Sequence, residues 1–158
     1  MQLVIMTNSN FYFKPGHLIN RASRLMLRVG EPRLRAIGFS AGQMPVLGAL
    51  KDGKRMTQTE LARLAQIEQP TMAQTLARME RDGIVQREPD PQDKRSSLVS
   101  LTPAALEKMG LAKEILVQGN EEALQGFDEA EVEMLSSLLH RVIVNLEAIA
   151  NRADQENG

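Results

Sequence analysis

A chain of 158 residues with 42% hydrophobic and 25% charged side chains is expected to fold as one compact, soluble unit. It has no cysteine, which excludes thiol redox sensing and cysteine-ligated zinc, and no apolar stretch reaches the roughly 18 residues of a membrane-spanning helix. The formal net charge of −1 is unevenly spread. Residues 1–36 carry six basic and one acidic side chains (+5), whereas residues 102–158 carry four basic and eleven acidic ones (−7). Such a chain can turn a basic end toward an anionic partner.

The first predicted helix covers residues 14–36. One face carries an apolar stripe at spacings of four, three and four residues, with basic residues beside it. The stripe consists of Leu18, Ala22, Leu25 and Val29, and the basic neighbours are Arg21, Arg24 and Arg28. Gly30 and Pro32 predict a kink or an end of the helix near Val29.

A second helix is predicted to begin at Ser40, because Ser40 and Gln43 have the spacing of a capping box. Asp52-Gly53 is predicted to end this helix. Its apolar face, which is expected to pack under the helices that follow, consists of Val46, Leu47 and Leu50.

Two short helical patterns follow, joined by about four residues, as in a helix-turn-helix. Thr57 and Glu60 form a capping box at the start of the first helix. Pro70 stands at the start of the second helix, where its missing N–H costs nothing, and Gly83 suits a left-handed end. The apolar faces are Leu61, Leu64 and Ala65 in the first helix and Met72, Leu76 and Met79 in the second.

A hairpin is predicted after the helix-turn-helix. Ile84 and Val85 open its first strand, and the charged, proline-containing run 90–95 forms its tip. The second strand alternates apolar residues at Leu98, Val99 and Leu101. The hairpin is interpreted as a wing, so the predicted fold class is mainly α with a small β-hairpin: a winged helix-turn-helix with additional terminal helices.

Two long helices are predicted after the wing. Thr102 caps the first and Gly126 closes it, while Asp128 and Glu131 cap the second, whose residues from Arg152 onward are expected to fray. The second helix carries a heptad pattern of apolar residues for about two and a half repeats. These residues are Val132, Leu135, Leu139, Val142, Leu146 and Ile149.

The polar face of the helix at residues 70–81 offers side-chain types that hydrogen-bond base edges in the major groove of DNA. Arg78 suits guanine because its planar fork can bond O6 and N7 together, and Gln74 suits adenine. Backbone donors at Thr57 and Gln58 are candidates for holding phosphate at a helix N-terminus.

The tip of the wing is the second candidate DNA contact, since Lys94 and Arg95 can enter or flank the minor groove, with Asp93 orienting the arginine. For any one of these residues, a solvated surface side chain is the alternative interpretation. The predicted DNA contacts are Thr57, Gln58, Gln69, Thr71, Gln74, Thr75, Arg78, Asp93, Lys94 and Arg95.

The segment IEQPTMAQTLARMERDGIVQREPDPQDKRSSLVSLT, residues 67–102, resembles the recognition helix and wing of the MarR/SlyA family of bacterial transcription regulators. The likeness to the SlyA-like branch is strongest around residues 67–71, and the resemblance extends over residues 16–150. The family's wing commonly carries an arginine where this chain has Gln92, so the minor-groove contact is expected to rest on Lys94 and Arg95.

This resemblance implies a cytoplasmic, nucleoid-associated bacterial or archaeal regulator. It implies a homodimer, formed by helices of residues 1–36 and 103–158, that reads a pseudo-palindromic operator in double-stranded DNA through a winged-helix domain at 37–102. Since the terminal helices have too few neighbours to bury their apolar faces, a second copy is expected to cover them; an intramolecular core is the alternative. Repression is the common role in the family. No cofactor, metal or membrane partner is implied.

The family resemblance also implies a small, often aromatic, effector that binds between the dimer helices and the winged domain and releases DNA. His17 and Arg21, one turn apart, are candidates for meeting a carboxylate, and Met26 and Met44 are candidates for an apolar wall. An inter-subunit or surface polar pair is the alternative for His17 and Arg21, and ordinary core packing is the alternative for the methionines.

Two other classes of function fit the sequence less well. An enzyme is disfavoured because the chain has only two histidines, no cysteine, no HExxH motif and no glycine-rich phosphate loop. A winged-helix module that binds proteins or ligands without specific DNA affinity is the main alternative, because residues 54–101 hold eight basic and seven acidic side chains, a net charge of only +1. The sequence leaves open the operator, the target genes, the effector, and repression versus activation.

Overall fold

The computed structural model describes residues 14–156. Within this range the α-helices are Pro15–Ala36 (α1), Met44–Leu50 (α2), Gln58–Ala65 (α3), Gln69–Arg81 (α4), Pro103–Ala123 (α5) and Glu129–Glu156 (α6). The strands are Met56–Thr57 (β1), Val85–Pro89 (β2) and Ser97–Leu101 (β3), and short 3-10 turns occupy Ala41–Gln43 and Lys51–Gly53. The chain divides into two compact units, with the boundary between Gly119 and Asn120 inside α5.

The three strands form a small antiparallel sheet in which β3 lies between β1 and β2. Strands β2 and β3 are the predicted hairpin, and their register places Val85 opposite Leu101 and Pro89 opposite Ser97. Strand β1 was not predicted, because two residues are too few to show an alternating pattern. It pairs Met56 with Val99, which closes the side of β3 that the wing leaves open.

The core of the first unit lies between α2, α3, α4 and the sheet, and eight of its large side chains have no exposed surface. These are Val46, Leu47, Leu50, Leu61, Met72, Leu76, Met79 and Val99. The predicted apolar faces of α2 and α4 are therefore confirmed. In α3 the prediction was wrong for Leu64, which is 58% exposed. The contacting face of this two-turn helix is instead formed by Leu61, Ala62 and the half-buried Ala65.

Helix α1 continues through the point where a kink or an end was predicted. It runs unbroken from Pro15 to Ala36 with Pro32 inside it, so an end near Val29 was wrong. The last turn is held from outside the helix: Leu34 is buried, and Glu31 Oε2 accepts a hydrogen bond from the backbone N–H of Ala41 at 2.7 Å. These contacts offset the hydrogen bond that proline removes.

Helix α2 begins as the capping box predicted. The backbone N–H of Ser40 donates to Gln43 Oε1 at 2.9 Å, although the box opens a 3-10 turn that leads into α2. The left-handed φ angles of Asp52 (63°) and Gly53 (75°) end this segment as expected.

Helices α5 and α6 also begin at their predicted caps. Thr102 Oγ1 accepts from Ala105 N, and Asp128 and Glu131 exchange hydrogen bonds at 2.9 and 2.8 Å. Helix α6 continues to Glu156, so the fraying expected from Arg152 onward was wrong for residues 152–156; the last two residues lie outside the described range. None of the described helices is both long and apolar enough to span a lipid bilayer.

Candidate nucleic-acid interface

The first helix of the helix-turn-helix, α3, begins with a complete capping box. Thr57 N donates to Glu60 Oε2 at 2.7 Å, and Glu60 N donates back to Thr57 Oγ1 at 3.2 Å. The Thr57 N–H bond lowers the pKa of Glu60 below its ordinary value. A phosphate at this predicted site therefore has to compete with a carboxylate that already accepts the Thr57 N–H.

The junction between α3 and α4 is tight. Gln66 adopts a left-handed φ of 53°, and Ile67 N donates to Ala62 O at 2.9 Å, which turns the chain back onto α3. Across this turn, Gln58 Nε2 donates to Gln69 Oε1 at 3.2 Å. A hydrogen bond thus connects two of the predicted DNA-contact residues, which belong to different helices and lie eleven residues apart in the sequence.

Helix α4 buries one face and exposes the other. The buried face anchors the helix on the winged-helix core through Met72, Leu76 and Met79. Among the predicted contacts, Thr71, Gln74 and Arg78 are exposed. Arg78 Nε donates to Gln74 O at 3.3 Å, which places the guanidinium along the outer face of the helix. Thr75 is half-buried and its hydroxyl donates to Thr71 O at 2.9 Å, so its side chain is partly committed to the helix backbone.

The tip of the wing is an ordered turn. Asp93 Oδ1 accepts from the backbone N–H of Arg95 at 2.9 Å, and Asp90 Oδ1 accepts from Gln92 N at 2.9 Å. Asp93 therefore contacts Arg95 through the backbone of the arginine. Lys94 and Arg95 are both exposed at this tip.

Two ion pairs attach β2 of the wing to its neighbours, and neither was predicted from the sequence. Arg87 Nε donates to Glu80 Oε2 on α4 at 3.2 Å, and Arg87 Nη1 donates to Ser97 Oγ on β3 at 3.4 Å. On the other side, Glu88 Oε1 lies 2.6 Å from Arg55 Nη1. Adjacent residues of a strand point to opposite faces of the sheet. The neighbouring opposite charges of Arg87 and Glu88 were therefore the sequence signal for an ion pair on each face of β2. The Arg87–Glu80 pair links the wing to α4, and the Arg55–Glu88 pair links it to the residue that precedes β1.

Comparison with known proteins identifies the family. The sequence profile of the MarR family matches residues 37–96. The HTH-type transcriptional regulator YwoH of Bacillus subtilis is 34% identical over 122 residues, which are 77% of this chain and 88% of YwoH. The chain belongs to the MarR family. The resemblance found in the sequence is thereby confirmed, and since the family is one of transcription regulators, so is the prediction that the chain is not an enzyme.

Further relatives add to this assignment. The MarR-family chain is 27% identical to the HTH-type transcriptional repressor IacR of Pseudomonas putida over 119 residues, 75% of this chain and 71% of IacR. Its fold matches the crystal structure of a mutant MarR from E. coli complexed with operator DNA, with a TM-score of 0.74 and 26% identity over 80% of this chain and 91% of that one. This match confirms the predicted winged-helix fold class.

The predicted effector residues of this regulator lie on two elements. His17 is half-buried and Arg21 exposed on α1, one turn apart, and Met26 on the same helix is 50% exposed. Met44, at the start of α2, is partly buried and packs against the winged-helix core. For Met44, core packing is the role that the structure shows directly.

Proposed function

We propose that this MarR-family regulator binds double-stranded DNA as a homodimer at a pseudo-palindromic operator, represses transcription there, and is released by a small, for instance aromatic, effector. The observation that carries the proposal is the pairing of two exposed surfaces. The outer face of α4 presents Thr71, Gln74 and Arg78, and the wing that the Arg87 bonds attach to α4 presents Lys94 and Arg95. A helix in the major groove with a basic hairpin reaching the backbone or minor groove matches these shapes.

The predicted site residues have different roles in this proposal. Arg78 reads guanine, Gln74 reads adenine, and Thr71 and Thr75 line the same face of α4. Lys94 and Arg95 contact the minor groove or its phosphates, supported by Asp93. Thr57 and Gln58 lie where α3 would approach the DNA backbone. The MarR of E. coli that was crystallised with operator DNA supports this assignment through its similarity in fold and sequence.

Homodimerisation supplies the two-fold symmetry that a pseudo-palindrome requires. Helix α6 supports this part of the proposal, because Leu146 and Ile149 of its heptad pattern are more than half exposed in the single chain. Residues 1–36 and 103–158 would form the dimerisation region and 37–102 the DNA-binding domain. In each dimer the two α4 helices would lie about one turn of DNA apart.

Release by an effector requires that the ligand bind more tightly to a form whose α4 helices have the wrong separation for DNA. His17 and Arg21 would meet an effector carboxylate, and Met26 with Met44 would contribute apolar surface. The repressor role is supported by the relative IacR, which is a transcriptional repressor. A cytoplasmic location, in association with the nucleoid of a bacterium or archaeon, follows from the same proposal, and no membrane partner is part of it.

The experiment that tests DNA binding is a titration of the full chain with the duplex upstream of its own coding region, at two salt concentrations. Arg78→Ala is expected to weaken specific binding by about tenfold or more, because a bidentate arginine–guanine contact is lost. Arg95→Ala is expected to weaken binding to all duplexes and to reduce the salt dependence by about one released counterion. Arg152→Ala, which removes an exposed arginine of α6, is the control.

The outcomes separate the proposal from its main alternative. Specific binding that neither substitution weakens would keep the function and overturn the residue assignment. No preference over random duplex, together with an empty genome-wide selection of bound sequences, would favour the winged-helix module without DNA affinity. The near-balance of charge in residues 54–101, where Arg55, Arg81 and Arg87 are each paired with a carboxylate, is the observation that keeps this alternative in view.

A further inference from the structure

Two glutamines from different helices meet at the edge of the candidate interface. Gln58 is the first residue of α3 and Gln69 is the first residue of α4. Gln58 Nε2 donates to Gln69 Oε1 at 3.2 Å, with Gln69 exposed and Gln58 half-buried. The N-terminal residues of a recognition helix are the ones that contact base edges, so Gln69 is in the position from which bases are read.

The backbones that carry these two side chains are well anchored. The hydrogen bonds between Thr57 and Glu60 hold the first turn of α3 around Gln58. The first turn of α4 is held by the hydrogen bond from Met72 N to Glu68 O at 2.9 Å, and Met72 itself is fully buried. Because both backbones are held, the hydrogen bond between the side chains already restricts the rotamers of Gln58 and Gln69. A lone exposed glutamine would lose this rotamer freedom only when it binds DNA.

The bond also sets the direction of the Gln69 amide. One lone pair of Gln69 Oε1 accepts from Gln58, which leaves a second lone pair on Oε1 and two N–H donors on Nε2. Adenine presents an N6–H donor beside the N7 acceptor in the major groove, and an amide bonds both when its oxygen faces N6 and its nitrogen faces N7. In the observed arrangement, with Gln58 Nε2 donating, the Gln69 amide presents the second lone pair of its oxygen and both N–H donors.

We propose that Gln58 and Gln69 form a joined pair that reads one adenine in each half-site, with Gln69 making the base contact and Gln58 acting as its positioning residue. This inference rests on the proposed DNA-binding function and adds a specificity determinant to it. Gln58 then contributes to sequence preference through Gln69, and not through phosphate alone.

The test is a selection of bound duplexes from a randomised library, using the full chain, followed by titration of the selected duplex and of each single-base variant. Besides the adenine assigned to Gln74, the native protein is expected to prefer adenine by about tenfold at a second position of each half-site, and Gln69→Ala is expected to abolish the preference at that second position. Gln58→Ala is expected to reduce it to about threefold or less, so the loss of affinity is larger for the adenine-containing duplex than for random duplex. Gln118→Ala, which removes an exposed glutamine of α5, is the matched control.

The double variant distinguishes coupling from two separate contacts. If the pair acts jointly, adding Gln58→Ala to Gln69→Ala produces no further loss of base preference. The inference would be overturned by a Gln58→Ala variant that weakens binding to every duplex equally, or by one that keeps the full adenine preference. It would also be overturned if the base preference that Gln69→Ala abolishes is for a base other than adenine. If the native protein selects no sequence at all, both the inference and the proposed DNA-binding function fail. None of the other outcomes contradicts the proposed function.

Discussion

The winged-helix core and helix α6 distribute their apolar side chains in opposite ways. Leu47, Leu61 and Leu76 have no exposed surface between α2, α3, α4 and the sheet. In α6, none of the described side chains is buried, and Leu139 and Leu146 are 37% and 59% exposed. The core residues are already covered within one chain, whereas the heptad pattern of α6 is not.

This difference shows which part of the molecule is complete as a single chain. Soluble monomers rarely expose a long contiguous apolar patch, because each Å² removed from water contributes about 25 cal/mol. A heptad pattern continued along one helix face is typical of a seam that packs against another helix. The contrast with the closed winged-helix core therefore supports the proposed homodimer, and substitutions in the two regions are expected to have different effects.

The largest effect is expected from Leu139→Asp in α6. If this position lies in the dimer interface, the substitution places a carboxylate of each subunit in an apolar seam, and the dimer dissociation constant is expected to rise by about a hundredfold or more. Sedimentation velocity over a range of protein concentrations measures this change.

Ser137→Asp is the control for that substitution, because it introduces the same carboxylate two residues earlier, on the opposite side of the helix. A native chain that sediments as a monomer at micromolar concentration, or a Leu139→Asp dimer as tight as the native one, would contradict the assignment of α6 to the interface.

A smaller effect, on folding and not on association, is expected from Leu47→Ala in the winged-helix core. The cavity left by this fully buried side chain is expected to lower the free energy of unfolding by about 2–5 kcal/mol, as measured by urea denaturation. Leu64→Ala, at a position that is 58% exposed, is expected to change it by about 0.5 kcal/mol or less. Equal losses for the two variants would mean that the core is not packed as described.

The smallest effect concerns the Glu60 carboxylate at the start of α3. Because its pKa is lowered in the folded protein, mainly by the Thr57 N–H bond, its contribution to stability is present above about pH 4.5 and is lost as the pH falls through the folded-state pKa. Glu60→Gln is expected to lower the melting temperature slightly at neutral pH and to make its decline below pH 4.5 shallower. Glu114→Gln, at an exposed position of α5, is the control; identical pH profiles for native and Glu60→Gln proteins would show that the cap contributes nothing.

Much of the fold was predictable because its signals are local. The capping boxes at Thr57 and Asp128 join residues three positions apart, so the spacing of residue types is sufficient to find them. The buried face of α4 and the left-handed end at Gly83 follow from helical periodicity and from the φ angle that glycine tolerates. The family resemblance added the order of recognition helix and wing, and the MarR-family assignment confirmed it.

The sequence by itself determined the elements whose stabilising partners lie within one or two helical turns. Tertiary structure alone decided the contacts between distant residues: β1 on β3, Arg87 of the wing on Glu80 of α4, and Gln58 on Gln69. It also decided that α1 continues past Pro32, since buried Leu34 and the Glu31 bond to Ala41 N, ten residues away, hold its last turn. The physical reason is that local propensities are weak and similar among many positions, whereas a long-range pair depends on where packing of the whole core places each backbone.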